Sequence, residues 1–314
     1  KVMEQQHRAT VQDVDDLVGQ TALKDDIVRW TTSLQGYESM PTALLFHGPP
    51  GTGKTSSGVL IARKLLGLQW FDTNFIESNA SDDRGISFIR DELKQLMRVK
   101  PIGSKKKVIL LDEADGLTPS AQDAMRRLIE KYSEHTLLIL TCNDLEKIRP
   151  AIRSRCAVYG FSPVDPVEGA ARLSKVYGIE DTDTLFRLVN LMKGDLRGCI
   201  NLLDAAGDAY KTRIVELEAS LDDSVARALE GDWIKLRQNL HNSLRSGVEL
   251  NYVLTGFYDN IYEHFEEEEN LDSIWRMMAA YGDVLIHKHT WIGNHYSYLD
   301  FLVAKMKTEV ERNE

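Results

Sequence analysis

The sequence is short of cysteine, of long apolar runs and of excess positive charge, and each shortage excludes a class of protein. Only three cysteines occur among the 314 residues, and no two of them form a C-x-x-C pair. This argues against a zinc knuckle or a disulfide framework and favours a reducing, intracellular setting. The polar segment Lys1–Arg8 does not resemble a signal peptide. No apolar run approaches the roughly 20 residues that cross a bilayer, so we expect no membrane partner.

The charge balance limits how the chain can contact nucleic acid. Lys and Arg number 38 against 48 Asp and Glu, which gives a formal net charge of −10. Proteins that coat themselves in DNA are usually basic, which this chain is not. Because phosphate attraction is screened within roughly 10 Å, a local basic patch remains compatible with DNA contact.

The first half of the chain alternates apolar runs with segments of helical periodicity. Short runs predict strands at Ala43–His47, Phe75–Glu77, Val108–Leu111 and Leu137–Leu140, and the first and last of these are expected to be buried. In the segments between these runs, the spacing of apolar residues predicts three helices, near Gly53–Leu66, Ile86–Arg98 and Ser120–Tyr132. This alternation is typical of an α/β fold with a parallel sheet flanked by helices on both faces.

The pattern changes after Phe161. Ser162–Pro166 contains two prolines and is predicted to be a linker, because proline lacks a backbone donor and disfavours helix in the residue before it. Later segments have helical spacing at Val167–Tyr177, Asp183–Met192, Leu196–Ala209, Thr212–Leu217, Trp233–Arg245, Tyr252–Phe265, Leu271–His289 and Ser297–Arg312. We predict three domains: residues 1–163 with the sheet, a small helical domain at 164–221, and an all-helical domain at 222–314.

The segment after the first predicted strand carries the most specific motif in the chain. Eight consecutive residues match G-x-x-x-x-G-K-[ST]: Gly48, Pro49, Pro50, Gly51, Thr52, Gly53, Lys54 and Thr55. Glycines let the backbone fold around phosphate oxygens, and the following helix points its positive end at the same anion. Lys54 is expected to reach the β- and γ-phosphates, and the Thr55 hydroxyl to ligate Mg²⁺. The strand–loop–helix context favours an ATP-binding P-loop over a chance Gly-rich turn.

The strand Val108–Leu111 ends in the acidic pair Asp112 and Glu113. The strand delivers Asp112 to the edge of the sheet where ligands bind, and we expect it to hold Mg²⁺ through water. Glu113 is placed to polarise the attacking water. An exposed acidic loop is the alternative, which the upstream P-loop makes minor. Asp115 is expected only to cap the turn that follows.

Asn143 follows the strand that contains Leu137–Leu140. A neutral amide here can orient water near the γ-phosphate and sense whether that phosphate is present. The alternative is a simple turn residue, which is the commoner role of Asn after a strand. The order of P-loop, acidic strand and polar-tipped strand favours the sensing role.

Together these motifs resemble the AAA+ family, and within it the small subunits of replication factor C. The resemblance runs from about Asp16 to Asn201. It rests on the segments Leu17–Gln20, Phe46–Thr55, Asn79–Ile86, Leu111–Asp115, Ile152–Cys156 and Gly194–Arg197. The triplet Ser154-Arg155-Cys156 and the run Asn79-Ala80-Ser81-Asp82 are the most distinctive of these, since a P-loop alone is widespread.

The resemblance implies a P-loop AAA+ parallel sheet flanked by helices, followed by a small helical lid domain and an all-α C-terminal collar domain that joins subunits. It implies an ATPase that uses ATP and Mg²⁺ within a ring of clamp-loader subunits, expected to be pentameric. The location it implies is the cytoplasm of a prokaryote or the nucleus of a eukaryote. Such a ring opens a sliding clamp and places it on primer–template DNA, and ATP hydrolysis drives release.

Two arginines receive roles from the resemblance. Arg155 is similar to the arginine finger that enters the neighbouring subunit's ATP site, where such a residue is worth about 10³–10⁵ in rate. Arg197 is similar to the second sensor, which reaches the phosphates from the helical lid. A surface arginine and a helix-surface salt bridge, respectively, remain the alternatives.

DNA contact is implied at Arg84 and Ile86, which match positions where family members touch the DNA backbone. An arginine beside a helix N-terminus suits phosphate without reading sequence. Lys105–Lys107 is a separate basic run, and a solvated loop is its more ordinary interpretation.

Adenine contact is implied for Arg8, Val18 and Gly19. The family usually has Tyr-Arg-Pro where this chain has His7-Arg8-Ala9, so Val18 and Gly19 are the better candidates. Clamp contact is implied for the helix Ile86–Arg98 and the loop after it. Leu96 and Met97 are then either exposed apolar anchors or core residues of an amphipathic helix.

Two other functions remain open at this point. One is a different AAA+ DNA motor, such as a helicase motor or an initiator, although the acidic, all-helical C-terminal region argues against an initiator with a basic winged helix. The other is a scaffold that binds nucleotide only for assembly, against which Glu113 and Arg155 argue.

Overall fold

A computed structural model describes residues 11–80, 85–245, 248–263, 271–286 and 294–311. The chain divides into two compact units, of which one comprises Lys1–Glu180 with Gly194–Arg197 and the other Asp181–Lys193 with Gly198–Glu314. Arg8 and Arg84 lie outside the described residues, so their predicted contacts stay predictions.

The described part of the first unit forms a five-stranded parallel sheet in the order β2-β3-β4-β1-β5. The strands are β1 (Ala43–His47), β2 (Phe75–Asn79), β3 (Lys107–Asp112), β4 (Thr136–Cys142) and β5 (Ala157–Gly160). His47 is paired with Cys142, and Asn79 with Asp112, so neighbouring strands end at one edge. Residues that follow β1, β3 and β4 therefore meet where open α/β sheets bind ligands.

Successive side chains of the sheet enter two different cores. Leu44 and Phe46 pack on one face, whereas Ala43 and Leu45 pack on the other. Helices cover both faces, which is why the strands have continuous apolar sequences instead of alternating ones. The predicted α/β class with a flanked parallel sheet is confirmed.

The helices of the first unit are α1 (Thr21–Thr32), α2 (Leu34–Glu38), α3 (Lys54–Leu66), α4 (Leu68–Asn74), α5 (Lys94–Arg98), α6 (Pro119–Tyr132), α7 (Pro150–Arg153) and α8 (Pro166–Tyr177). A π-helical segment, Phe88–Leu93, leads into α5. The start of α6 follows from its sequence, because Thr118 Oγ1 accepts from the N–H of Ala121 and Pro119 occupies the first turn. The helices predicted near Gly53–Leu66, Ile86–Arg98, Ser120–Tyr132 and Val167–Tyr177 are all present.

The second unit is helical throughout its described residues. Its helices are α9 (Thr182–Leu191), α10 (Leu196–Ala206, whose first two residues belong to the first unit), α11 (Tyr210–Leu229), α12 (Trp233–Arg245), α13 (Leu250–Glu263), α14 (Leu271–Ile286) and α15 (His295–Val310). Helices in the described ranges are either too short or too polar to traverse a lipid bilayer.

The predicted helix Thr212–Leu217 is too short, because α11 continues to Leu229. Leu217, Leu221 and Val225 are all buried, so one apolar stripe runs along the whole helix. The boundary predicted between residues 221 and 222 falls inside this helix. The division into three domains itself stays a prediction.

Candidate nucleotide-binding site

The Gly-rich segment forms a loop between β1 and α3. Gly51 has φ +70° and Gly53 has φ +93°, values that residues with a side chain rarely adopt. A Cβ atom added at Gly51 would lie 1.6 Å from Asp195 Oδ1, whereas one added at Gly53 would meet nothing within 4 Å. Gly51 is therefore required both by the backbone conformation and by the approach of Asp195.

Lys54 is folded into the loop that precedes it. Its side chain is 7% exposed, and Nζ donates to Gly48 O and Pro49 O at 2.7 Å each and to Asn143 Oδ1 at 3.0 Å. Burial lowers the pKa of Lys54, which the negative charge of Asp112 partly opposes. The loop thus holds an ammonium group among oxygen acceptors that an anionic phosphate would replace.

The rest of the loop is closed by its own side chains. Thr52 is buried, and its Oγ1 donates to Pro49 O at 2.8 Å. Pro49 and Pro50 are exposed at the tip, and Gly48 N donates to Cys142 O at 3.2 Å. The loop is therefore fixed to the end of β4 at its start and by an internal hydrogen bond at its turn.

The predicted metal-binding pair lies together. Thr55 Oγ1 donates to Asp112 Oδ2 at 2.9 Å, and Thr141 Oγ1 donates to the other carboxylate oxygen. One hydroxyl and one carboxylate fit Mg²⁺, which usually keeps several waters and takes its remaining ligands from substrate phosphates. Asp112 is oriented by both threonines, so its carboxylate faces the first turn of α3.

Glu113 projects from a turn with an unusual backbone. Its φ of 55° lies in the left-handed region, a conformation that costs a non-glycine residue about 1–3 kcal/mol and persists where the surroundings enforce it. Here the Glu113 N–H donates to Asp112 Oδ1 and to Thr141 Oγ1, at 3.2 Å each. The bonded backbone leaves the Glu113 side chain exposed at the edge of the sheet.

Asp115 anchors the turn that carries Asn143. Its Oδ2 accepts from the backbone N–H of Asn143 at 3.3 Å and of Asp144 at 3.2 Å. The expectation that Asp115 only caps the turn after β3 is therefore wrong, because its carboxylate is used by the turn after β4. With Lys54 bonded to Asn143, the P-loop, β3 and β4 are joined at one point.

The segment Gly194–Arg197 lies against the P-loop. Leu196 N donates to Gly51 O at 3.2 Å, and Asp195 is 8% exposed. Arg197 itself is exposed, and its positive charge contributes to the lowered pKa of Lys54. The sensor role of Arg197 stays a prediction.

The predicted adenine-contact residues Val18 and Gly19 lie between the 3₁₀ turn Val14–Asp16 and α1. Gly19 N donates to Glu168 Oε2 on α8 at 2.9 Å, and Val18 is half-buried. In the described part of the chain, hydrogen bonds do not link either residue to the P-loop. Their role in base binding stays a prediction.

Arg155 is bonded elsewhere in the first unit. Its Nε donates to Glu130 Oε1 at 2.6 Å, and its Nη1 donates to Ala151 O at 2.9 Å and Ser154 Oγ at 3.3 Å. None of these partners belongs to the P-loop, to Asp112 or to Asn143. Arg155 is therefore not bonded to the nucleotide site of its own chain.

Ile86, the described member of the predicted DNA-contact pair, borders a groove of about 460 Å³. The groove lies between the segment leading to α5 and the outer face of α6. It is lined by the cations Arg90, Lys94 and Arg127, with Asp123 as the acidic exception. This is a local positive surface on an acidic protein, which is the arrangement the net charge requires of any DNA contact.

The basic run Lys105–Lys107 is not a solvated loop. Lys107 is 5% exposed and donates to Leu96 O at 2.8 Å, while Lys106 donates to Ser133 O at 3.3 Å. Lys105 lies 5.2 Å from the centre of the Tyr37 ring. Burial lowers the pKa of both Lys106 and Lys107. These contacts hold the run against α5, the end of α6 and Tyr37.

The two candidate clamp anchors are both inward-facing. Met97 is 1% exposed in the core beneath the sheet, and Leu96 is partly buried against the same core. The core interpretation of the two residues is therefore the correct one, because this stripe of the helix faces α6 and the sheet. Exposed apolar side chains follow in the adjoining loop, at Val99 and Ile102.

Sequence reasoning missed three residues that shape the site. Thr141 bonds Asp112 and Glu113, and its signal was a hydroxyl that follows the apolar run Leu137–Leu140 in the same strand. Asp195 was named only as part of the segment Gly194–Arg197, with no contact predicted for its side chain. Glu130 gave no signal, because an acidic residue on an exposed helix face is ordinary.

The site can therefore perform three tasks with its own residues. The loop and Lys54 can bind phosphates, Thr55 and Asp112 can hold a divalent cation, and Glu113 and Asn143 can face the water that would attack the γ-phosphate. This division of tasks is that of P-loop phosphoryl transfer, in which positioning and charge stabilisation account for catalysis.

Comparison with known proteins agrees with this geometry. Residues 44–164 match the family described as "ATPase family associated with various cellular activities (AAA)". The Replication factor C small subunit of Methanocella arvoryzae is 36% identical over 290 residues, covering 87% of this chain and 83% of that protein. The Replication factor C small subunit of Archaeoglobus fulgidus is 39% identical over 244 residues, covering 72% of this chain and 74% of that one.

Solved structures of similar fold include the Thermotoga maritima RuvB Holliday junction branch migration motor. It superposes with a TM-score of 0.52 over 84% of this chain and 81% of that one, at 13% sequence identity. Similarity at this level of identity concerns the fold alone, which is that of a P-loop sheet followed by helices.

Proposed function

We propose that this chain, which belongs to the replication factor C small-subunit family of AAA ATPases, is an ATP-hydrolysing subunit of a ring that loads sliding clamps onto DNA. In this proposal ATP binding organises the ring around an open clamp and primer–template DNA, and hydrolysis releases both. Other subunits complete the ring, which we propose to be a pentamer. We place its activity inside the cell.

One observation carries the proposal. Lys54 is bonded to Asn143 and Thr55 to Asp112 beside the Gly-rich loop, whereas Arg155 is bonded to Glu130 and to its own turn. The chain thus carries candidate groups for phosphate and metal, but its candidate arginine finger is bonded away from them. This arrangement suits an assembly in which a neighbouring subunit completes each ATP site. We therefore assign Arg155 to the ATP site of the adjacent subunit, where its charge would stabilise the transition state.

Within its own site, the chain divides the work as follows. The P-loop amides and Lys54 bind the phosphates, and Glu113 accepts a proton from the attacking water. Mg²⁺ would be held by Thr55 directly and by Asp112 through water. It would neutralise charge on the β- and γ-phosphates. Asn143 and Arg197 contact the γ-phosphate and so distinguish ATP from ADP.

The remaining assignments are proposals of the same kind. Residues 164–221 act as the lid that brings Arg197 to the phosphates, and residues 222–314 act as the collar. Arg84 and Ile86 contact the DNA backbone, and Arg8, Val18 and Gly19 contact the base.

A clamp-loading assay tests the function directly. The chain, assembled with its partner subunits, is incubated with a labelled sliding clamp, circular primed DNA and ATP, and the clamp retained on DNA is measured. We expect retention that requires ATP and that is lost with Lys54→Ala. Branch migration or unwinding without clamp retention would instead identify a different AAA+ motor, and nucleotide binding without either activity would identify a scaffold.

A further inference from the structure

The arginine that we assign to the neighbouring ATP site has an acidic partner on its own chain. Arg155 Nε lies 2.6 Å from Glu130 Oε1, and the two side chains are 31% and 52% exposed. We propose that Glu130 is a positioning residue for Arg155, which orients the guanidinium for the neighbouring subunit. The inference rests on the proposed function, since it concerns how Arg155 is presented in trans.

Only two of the three guanidinium nitrogens of Arg155 donate hydrogen bonds to described residues. Nε is bonded to Glu130, and Nη1 is bonded to Ala151 O and Ser154 Oγ. Within the described residues, Nη2 is left with both of its N–H groups unused. A guanidinium is planar and its five N–H groups have fixed directions. Fixing Nε and Nη1 to the parent chain therefore also fixes the direction in which Nη2 points.

The elements that carry this pair are firmly seated. Glu130 lies in the last turns of α6, whose neighbouring residues Leu128, Ile129 and Tyr132 are buried. Arg155 follows α7, whose Ile152 is fully buried, and Arg155 N donates to Ile152 O at 2.9 Å. Both side chains thus project from backbone that the core of the first unit holds in place.

The two elements are also tied together at the other end of α6. Gln122 is 2% exposed, its Nε2 donates to Lys147 O at 3.0 Å, and its Oε1 accepts from Arg149 N at 2.8 Å. These bonds link α6 to the segment that leads into α7. The Glu130–Arg155 pair therefore spans two elements that are already hydrogen-bonded to each other elsewhere, so the bond between the pair is free to set the direction of the arginine side chain.

Positioning explains the pair better than storage of the arginine does. Ion pairs this exposed contribute little to folding stability, and this pair leaves Nη2 open, so Glu130 does not withhold the guanidinium from a partner. A long side chain held by three contacts loses less conformational freedom when it meets a phosphate, which speeds the reaction. The expected effect of Glu130 is therefore on the rate in the neighbouring site, with little effect on folding.

The test uses the complete assembly, with steady-state ATP hydrolysis in the presence of primed DNA and clamp. We expect Glu130→Ala to lower kcat on the order of 10-fold while leaving KM for ATP unchanged. Glu130→Gln keeps an oxygen acceptor and is expected to lie between wild type and Glu130→Ala. Glu146→Ala is the matched control, because Glu146 pairs with the adjacent Arg153 at 3.4 Å and should leave kcat unchanged.

A double variant separates positioning from a merely structural role. If Glu130 acts through Arg155, Glu130→Ala has no further effect in an Arg155→Ala background. Additive losses, a rise in kcat for Glu130→Ala, or wild-type activity of that variant would each overturn the inference while leaving the trans assignment intact. Full activity of Arg155→Ala itself would instead overturn that assignment, and this inference with it.

Discussion

Thr55 Oγ1 donates a hydrogen bond of 2.9 Å to Asp112 Oδ2, although 57 residues separate the two positions along the chain. The bond joins the first turn of α3 to the end of β3. It forms because β3 is paired with β4, and β4 with β1, so the segments after these strands are neighbours. The hydroxyl and carboxylate that a magnesium ion would use are thus already side by side.

The first prediction concerns this pair and the metal. Asp112→Asn keeps the shape of the side chain and removes the charge that attracts a cation, so it should weaken binding of MgATP about 10- to 100-fold. Binding of ATP in excess chelator should change little, because the P-loop and Lys54 are untouched. Calorimetric titration with and without Mg²⁺ measures both. Equal loss in the two conditions would show that Asp112 does not act through the metal.

The second prediction separates binding from hydrolysis. Glu113→Gln retains the side-chain shape but cannot accept the proton of the attacking water, so kcat should fall by about 10²–10⁴. The affinity for ATP should remain, because the N–H of residue 113 still bonds Asp112 and Thr141. Single-turnover hydrolysis and nucleotide titration provide the two readouts. Rapid hydrolysis by this variant would remove Glu113 from the role of base.

The third prediction compares two glycines of the same loop. Gly53→Ala meets no neighbour and should cost only backbone strain, about 1–2 kcal/mol of the free energy of unfolding. Gly51→Ala adds a collision with Asp195, so it should cost about 1–3 kcal/mol more. Chemical denaturation of both variants without nucleotide measures the difference.

Asp195→Ala provides the internal control for that comparison. Combined with Gly51→Ala it removes the atom that the new methyl group would strike, so the double variant should be less destabilised than the sum of the single ones. Simple additivity would mean that the approach of Asp195 to Gly51 does not limit this position.

The fourth prediction concerns pH and the ion pair between Asp16 and Arg172, at 2.5 Å. Burial alone would raise the pKa of Asp16, but the backbone N–H groups of Gln12 and Asp13 and the charge of Arg172 outweigh it and lower the pKa. A lowered carboxyl pKa contributes stability that is present above the unfolded-state value near 3.8 and is lost as pH falls through the folded-state value.

Asp16→Asn should therefore destabilise the protein by about 1–3 kcal/mol at pH 7. The gap between wild type and variant should begin to close as the pH falls below about 4, near the unfolded-state pKa, and should be lost only as the pH passes through the lower folded-state pKa of Asp16. Urea denaturation at several pH values measures this. A gap that is the same at all pH values would mean that charge is not the cause.

The sequence predicted the elements whose signals are local. Four of the strands, the P-loop and the polar ends of β3 and β4 were placed correctly, because parallel strands and phosphate loops depend on residue type over short windows. β5 was missed, since Ala157–Gly160 is only four residues long and has half-exposed positions. The extent of α11 was missed because tertiary burial of Leu221 and Val225 outweighs the pair of aspartates between them.

Long-range pairings could not be predicted in the same way. Asp115 looked like a local cap, but it bonds the turn after β4, a choice that depends on strand order. Lys107 looked like part of a solvated basic run, but it is buried and its Nζ donates to the carbonyl of Leu96 in α5. The partnership of Glu130 with Arg155 likewise depends on how α6 and α7 pack, which no residue pattern in either segment reveals.

The central claim is that ATP hydrolysis by this chain serves clamp loading, and one measurement tests it most directly. Steady-state ATP hydrolysis by the purified assembly is compared alone, with primed DNA, with the cognate sliding clamp, and with both. Strong stimulation that requires both ligands is the result we predict. Stimulation by duplex DNA alone, unchanged by the clamp, would contradict the claim and identify a different DNA motor.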